Sequence, residues 1–163
     1  MKRCGILWCA VMLAVMSGGF AQASENGGGR YATYTISVDS TELPGGGHVE
    51  ISHFYQVVFA DNADDPLDGT HADCVGMTMF ASNGAATSAS GSCYIKDASG
   101  NGISMWWRMD EGGTPACPNS CGSWGYFDGY GTFKGISGSG TWKQTSLFAN
   151  GSVGSWTGSY SLK

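Results

Sequence analysis

Few side chains in this sequence belong to the types that do chemistry, and their spacing restricts what they can do. Histidine occurs three times, as His48, His53 and His71. An imidazole titrates near pH 6.5 (roughly) and can move a proton when it borders a pocket. His48 and His71 adjoin turn-rich segments and are expected at the surface. His53 is different, because it alternates with Val49, Ile51, Tyr55, Val57 and Phe59 and so shares an apolar strand face with them. Asp61, Asp64, Asp65, Asp68 and Asp73 form an acidic run. A calcium loop needs oxygen ligands at alternating positions and a Glu at the twelfth. Counted from Asp64, the third position is Pro66 and the twelfth is Val75, so the run reads as a solvated loop. The chain has no Gly-x-Ser-x-Gly elbow, no His-Glu-x-x-His and no Cys-x-x-Cys. The signatures of a serine hydrolase, a zinc protease and a thioredoxin-type centre are therefore missing. No cofactor and no metal are expected.

The cysteines depend on the compartment. Met1-Lys2-Arg3 is a short basic start, residues 4–16 are an apolar run, and Ala21-Gln22-Ala23 is a small-x-small site. That order is the layout of a secretory signal peptide over residues 1–23, and the run is shorter than the roughly 20 residues that span a bilayer. The expected product begins at Ser24, is exported to the periplasm or beyond the cell, and inserts in no membrane once the signal is removed. Cys4 and Cys9 leave with the signal, and Cys74, Cys93, Cys117 and Cys121 remain. An even number in an oxidising compartment favours disulfides. The short spacing of Cys117 and Cys121 favours a local bridge, which leaves Cys74 to Cys93. A zinc site is the alternative, but Cys74 and Cys93 are too far apart to form a close ligand pair and no His follows Cys121. The whole chain carries a net charge of −5, and loss of Lys2 and Arg3 takes it to −7. An acidic chain with scattered lysines lacks the footprint for nucleic acid or an anionic membrane.

The elements that position these residues follow from period two. Tyr34, Ile36 and Val38 alternate with Thr and Ser. Ile103, Met105, Trp107 and Met109 alternate in "ISMWWRM", and Trp156, Tyr160 and Leu162 alternate with Ser and Thr near the end. Alternation places successive side chains on opposite faces of a strand. Turn sequences fall at 43–47, 61–69, 82–84, 97–102, 111–122, 137–140 and 149–151, so seven breaks separate about eight strands. No segment after the signal carries a capped 3.6-residue stripe. The reading is all-β: a disulfide-stapled, antiparallel barrel of about eight strands in one domain over 31–163, preceded by a flexible leader at 24–30. In "GYGTFKGISGSGTW", residues 129–142, the glycines alternate with bulky residues, which suits sharply coiled strands joined at the "SGSG" corner.

Residues Gly129 to Gly140 run Gly-x-Gly-x-Phe-x-Gly-Ile-x-Gly-x-Gly, and residues 91–101 read "GSCYIKDASGN". This pattern resembles bacterial secreted proteins of the allene oxide cyclase-like barrel superfamily, which includes the plant dirigent proteins. The likeness spans roughly residues 70 to 145. It implies an eight-stranded antiparallel barrel with a central cavity, in which small apolar molecules are cyclised, or their coupling is steered, without a cofactor. No catalytic residue of that superfamily matches a position here, so whether the chain is an enzyme stays open. The expected function is binding of a small apolar molecule in the barrel, with isomerase or cyclase activity as its catalytic form. The alternative is a structural or interaction protein whose barrel is filled by its own side chains. The expected ligand-binding residues are His53, Tyr55, Met105 and Trp107, on two strand faces directed into the barrel. The sequence leaves the oligomeric state open.

Overall fold

The computed structural model describes residues 25–162, so the segment read as a signal peptide lies outside the described residues. Eight strands follow one another: β1 (Glu25–Glu42), β2 (His48–Ala60), β3 (His71–Phe80), β4 (Ala86–Lys96), β5 (Gly102–Gly112), β6 (Ser120–Tyr130), β7 (Ser137–Phe148) and β8 (Gly151–Ser161). Each pairs antiparallel with the next, and β8 pairs with β1, which closes an eight-stranded barrel. Both disulfides form, Cys74 with Cys93 and Cys117 with Cys121. The first ties directly paired positions of β3 and β4.

Two boundaries differ from the expectation. Residues 25–30 are not a flexible leader. They begin β1, where Gly27, Gly28 and Gly29 pair with Gly158, Thr157 and Trp156 of β8. Barrel closure needs a partner for β8, and this stretch supplies it. The corner expected at 137–140 lies earlier. A 3-10 turn at Gly131–Phe133 and a left-handed Gly135 (φ 80°) make the turn, and Ser137–Gly140 is already strand. Gly135 takes a backbone angle that only glycine adopts cheaply.

The glycines inside strands give room for aromatic rings lying across the backbone. A Cβ on Gly91 would stand 2.6 Å from Trp107 Cζ2, and one on Gly140 would stand 2.7 Å from Trp124 Cζ2. Bulky inward rings and bare backbone thus fill the same cross-section. Antiparallel order places the 61–70, 97–101 and 131–136 connections at one end and the 43–47, 81–85, 113–119 and 149–150 connections at the other. The first end is sealed. Leu67, Ile95, Ile103, Phe133, Ile136 and Tyr160 are all buried there. Side chains deeper in the lumen leave the second end open.

Candidate functional site

The acidic run resolves first, because it forms part of the sealed end. Asp68 Oδ1 accepts the Ala60 N–H at 2.9 Å, and Asp65 Oδ1 accepts the Leu67 N–H at 2.8 Å. The Tyr160 hydroxyl donates to the same Asp65 oxygen at 3.1 Å. These carboxylates fold the loop back so that Leu67 and Thr70 plug the barrel. Asp97 works likewise at the 97–101 turn. Its carboxylate accepts the Ser99 N–H at 2.8 Å, the Asn101 N–H at 2.9 Å and the Asn101 amide at 2.7 Å. Asn101 Oδ1 then takes the Thr132 N–H at 3.2 Å, which couples this turn to the neighbouring one. The Asn101 amide is the main cause that holds the Asp97 carboxyl below its ordinary range.

Above this floor lies a cavity of about 640 Å³, within the size range of small-molecule sites. Phe54, Met105, Trp107, Trp124, Tyr126 and Trp156 form much of its wall, and Phe80, Pro118, Leu147 and Phe148 border its mouth. Polar groups enter from Thr33, Thr35, Ser52, Gln56, Gln144 and Ser152. Among the described residues, the lining contains no Asp, Glu, Lys, Arg or His. The phenols of Tyr31 and Tyr126 are pushed above the ordinary tyrosine range, both by burial, with the nearby Asp65 adding to the shift at Tyr126. Both hydroxyls therefore stay protonated at neutral pH and serve as neutral hydrogen-bonding groups. Trp124 Nε1 donates to the Thr141 carbonyl at 3.2 Å, and Trp142 Nε1 to that of Arg108 at 3.2 Å. The indole N–H groups of Trp107 and Trp156 are buried and have no hydrogen-bond partner among the described residues. An orphan of this kind costs about 1–3 kcal/mol.

The structure divides the expected site residues into two sets. Met105 and Trp107 lie on the cavity wall. His53 and Tyr55 do not, and this corrects the expectation that the Val49–Phe59 face points inward. Tyr55 is 51% exposed on the outer surface, and His53 is exposed beside it. The inward residues of β2 are Ser52, Phe54, Gln56 and Val58. Parity was read correctly, but the wrong face was assigned to the lumen because the outer face of β2 is the more apolar one. Trp124, Tyr126 and Trp142 were missed as lining residues. Their one signal in the sequence is the glycine opposite a ring, and it is ambiguous. Trp107 lies over Gly91 inside the barrel, while its neighbour Trp106 lies over Gly125 on the other face.

The chain is thus a closed eight-stranded antiparallel barrel with an aromatic lumen open at one end. No family model matches the chain, and no curated protein matches it. Among solved structures, the chain is similar to a pterocarpan synthase dirigent protein, with a TM-score of 0.51 and 12% identity over 97% of this chain and 100% of that one. A second pterocarpan synthase dirigent protein aligns over 88% of this chain and 98% of its own, at 8% identity and a TM-score of 0.48. At this identity the likeness concerns the fold.

Proposed function

We propose that the protein is exported and that its barrel binds one small, neutral, apolar molecule, entering through the end bordered by Phe80, Leu147 and Phe148. The observation that carries this reading is the cavity of about 640 Å³ with aromatic walls and no charged lining residue among the described residues. A charged ligand would lose its hydration without gaining a counter-ion there, at a cost of several kcal/mol (roughly). Aromatic rings offer flat apolar surface for stacking. The hydroxyls of Tyr31 and Tyr126 and the unpartnered indoles of Trp107 and Trp156 suit a ligand that carries oxygen acceptors. Among the described residues, the lining offers hydroxyl, amide and indole groups and no carboxylate or imidazole to take a proton. Holding and orienting a reactive molecule is the activity this lumen serves best, and a cyclisation or isomerisation would be accelerated by conformational control. The two disulfides fit an oxidising compartment.

Tryptophan fluorescence and native mass spectrometry test the reading together. Titration with 2-naphthol should change the emission and give a one-to-one complex, whereas 2-naphthalenesulfonate should not bind. Met105→Trp, which fills the lumen, should remove 2-naphthol binding. Equal binding of the anion, or undiminished binding in Met105→Trp, would overturn the proposal.

A further inference from the structure

Two tyrosines on the outside of the barrel reach towards each other over a glycine. Tyr94 lies on β4 and Tyr130 on β6, so a whole strand, β5, separates them. Neighbouring strands stand roughly 4.8 Å apart, and side chains two strands apart meet only when the strand between them leaves space. Gly102 of β5 leaves it. Gly102 pairs with Lys96 on one side and with Tyr130 on the other, and Tyr94 shares the strand face of Lys96. A Cβ on Gly102 would stand 2.5 Å from Tyr130 Cε1 and 2.7 Å from the Tyr94 hydroxyl oxygen. The two rings are nearly parallel, with centroids 5.8 Å apart and planes 10° from each other. The Lys96 ammonium, paired with Asp73 at 3.1 Å, sits 4.9 Å from the centre of the Tyr94 ring and holds that ring against the sheet. The Tyr94 phenol is pushed up to about 12, mainly by the hydrogen bond it shares with Tyr130, which places the two hydroxyls in contact. Tyr130 is 45% exposed, so the pair is open to reagents in solution.

We infer that Tyr94 and Tyr130 form an oxidative cross-linking site, whose rings are joined as dityrosine by hydrogen peroxide and a haem peroxidase. In this step each phenol gives up one hydrogen atom to the oxidised haem, as an electron and a proton. The unpaired electron of each phenoxyl spreads onto the ring carbons ortho to the oxygen. One ortho carbon of each ring pairs its electron with the other in a new carbon–carbon bond. Each ring then passes its displaced ortho hydrogen back to oxygen. Two phenols remain, two hydrogen atoms have left the chain, and the peroxide has been reduced to two waters. The bond forms only if two radicals meet before either is quenched, and a pair already in contact meets as an intramolecular event. Tyr31 and Tyr160 are buried, out of reach of an enzyme oxidant. Tyr34 and Tyr55 are exposed and directly paired between β1 and β2. Among the described residues, however, the ring contact between tyrosines is that of Tyr94 with Tyr130. Their bond would tie β4 to β6 across β5, two strands that no ladder joins directly. It would extend the Cys74–Cys93 bridge, which already ties β3 to β4.

The test treats the dilute, disulfide-intact protein with a haem peroxidase and one equivalent of hydrogen peroxide and follows it by mass spectrometry. The wild type should lose the mass of two hydrogen atoms and gain the blue fluorescence of dityrosine while remaining a single chain. After reduction and trypsin, peptide 31–96 should be joined to peptide 109–134, with the bond at Tyr94 and Tyr130. Tyr94→Phe and Tyr130→Phe should each lose this product, with unchanged circular dichroism. Gly102→Ala keeps both phenols but puts a methyl group between them, so it should form the product in lower yield. The stapled wild type should melt above the untreated protein, and treated Tyr94→Phe should show no such rise. An unchanged mass, dityrosine formed only between two chains, a bond between Tyr34 and Tyr55 in place of this one, or an undiminished yield from Gly102→Ala would each overturn the inference.

Discussion

At the scale of the residue, His53 shows how little a side chain's type says without its direction. In the sequence it is the histidine that alternates with apolar residues on both sides, and a proton shuttle is the natural use for it. The register places it between Ser37 and Val75 on the outer wall, away from every lining residue. His53→Phe should therefore leave 2-naphthol binding unchanged, as read by tryptophan fluorescence, while the barrel stays folded. A loss of binding in that variant would mean that the outer wall communicates with the lumen. Met105 and Trp107 lie on the wall of the cavity. Their strand pairs with β4 at Cys93 and Gly91, so the inward ring of Trp107 settles over a glycine.

At the scale of the element, the two turns at the sealed end and the two bridges control stability. Asp97 has its pKa lowered in the folded chain, with the Asn101 amide as the main cause. A lowered carboxylate contributes stability that is present above its unfolded value, and that stability is lost as pH falls through the folded value. The melting temperatures of wild type and Asp97→Ala should thus differ near neutral pH, and the difference should shrink only as pH falls below the ordinary aspartate value of about 3.9. A constant difference down to acid pH would assign the effect to packing instead. The bridge from Cys74 to Cys93 closes a separation of 19 residues, and the bridge from Cys117 to Cys121 closes one of 4. The chain-entropy relation gives about 3 kcal/mol for the larger loop and about 2 kcal/mol for the smaller. Calorimetry should show a lower melting temperature for Cys93→Ser than for Cys121→Ser.

At the scale of the whole molecule, the described lining of the lumen is uncharged while the chain as a whole is acidic. The apolar outer face of β2 explains why hydrophobic parity pointed to the wrong side of that strand. Its lumen face mixes Ser52 and Gln56 with Phe54 and Val58 because it lines a cavity and not a dry core.

The sequence alone determined the strand period, most of the breaks, the all-β class and both cysteine pairings. Those features are local: alternation, turn residues and short spacing act within a few positions along the chain. It also brought Met105 and Trp107 together on one face, since positions two apart in a strand must share a side. Only the tertiary structure decided which side that was for each strand. Inside and outside are properties of a closed sheet, and a strand with two usable faces does not record its orientation in its own composition. The same holds for residues 25–30, whose glycines read as a flexible leader until β8 required a partner. It holds for Ser137–Gly140 as well, which read as a corner but forms strand because Trp124 needs a bare backbone to lie against. The cavity itself is assembled from residues scattered from Tyr31 to Trp156, and barrel closure brings them together.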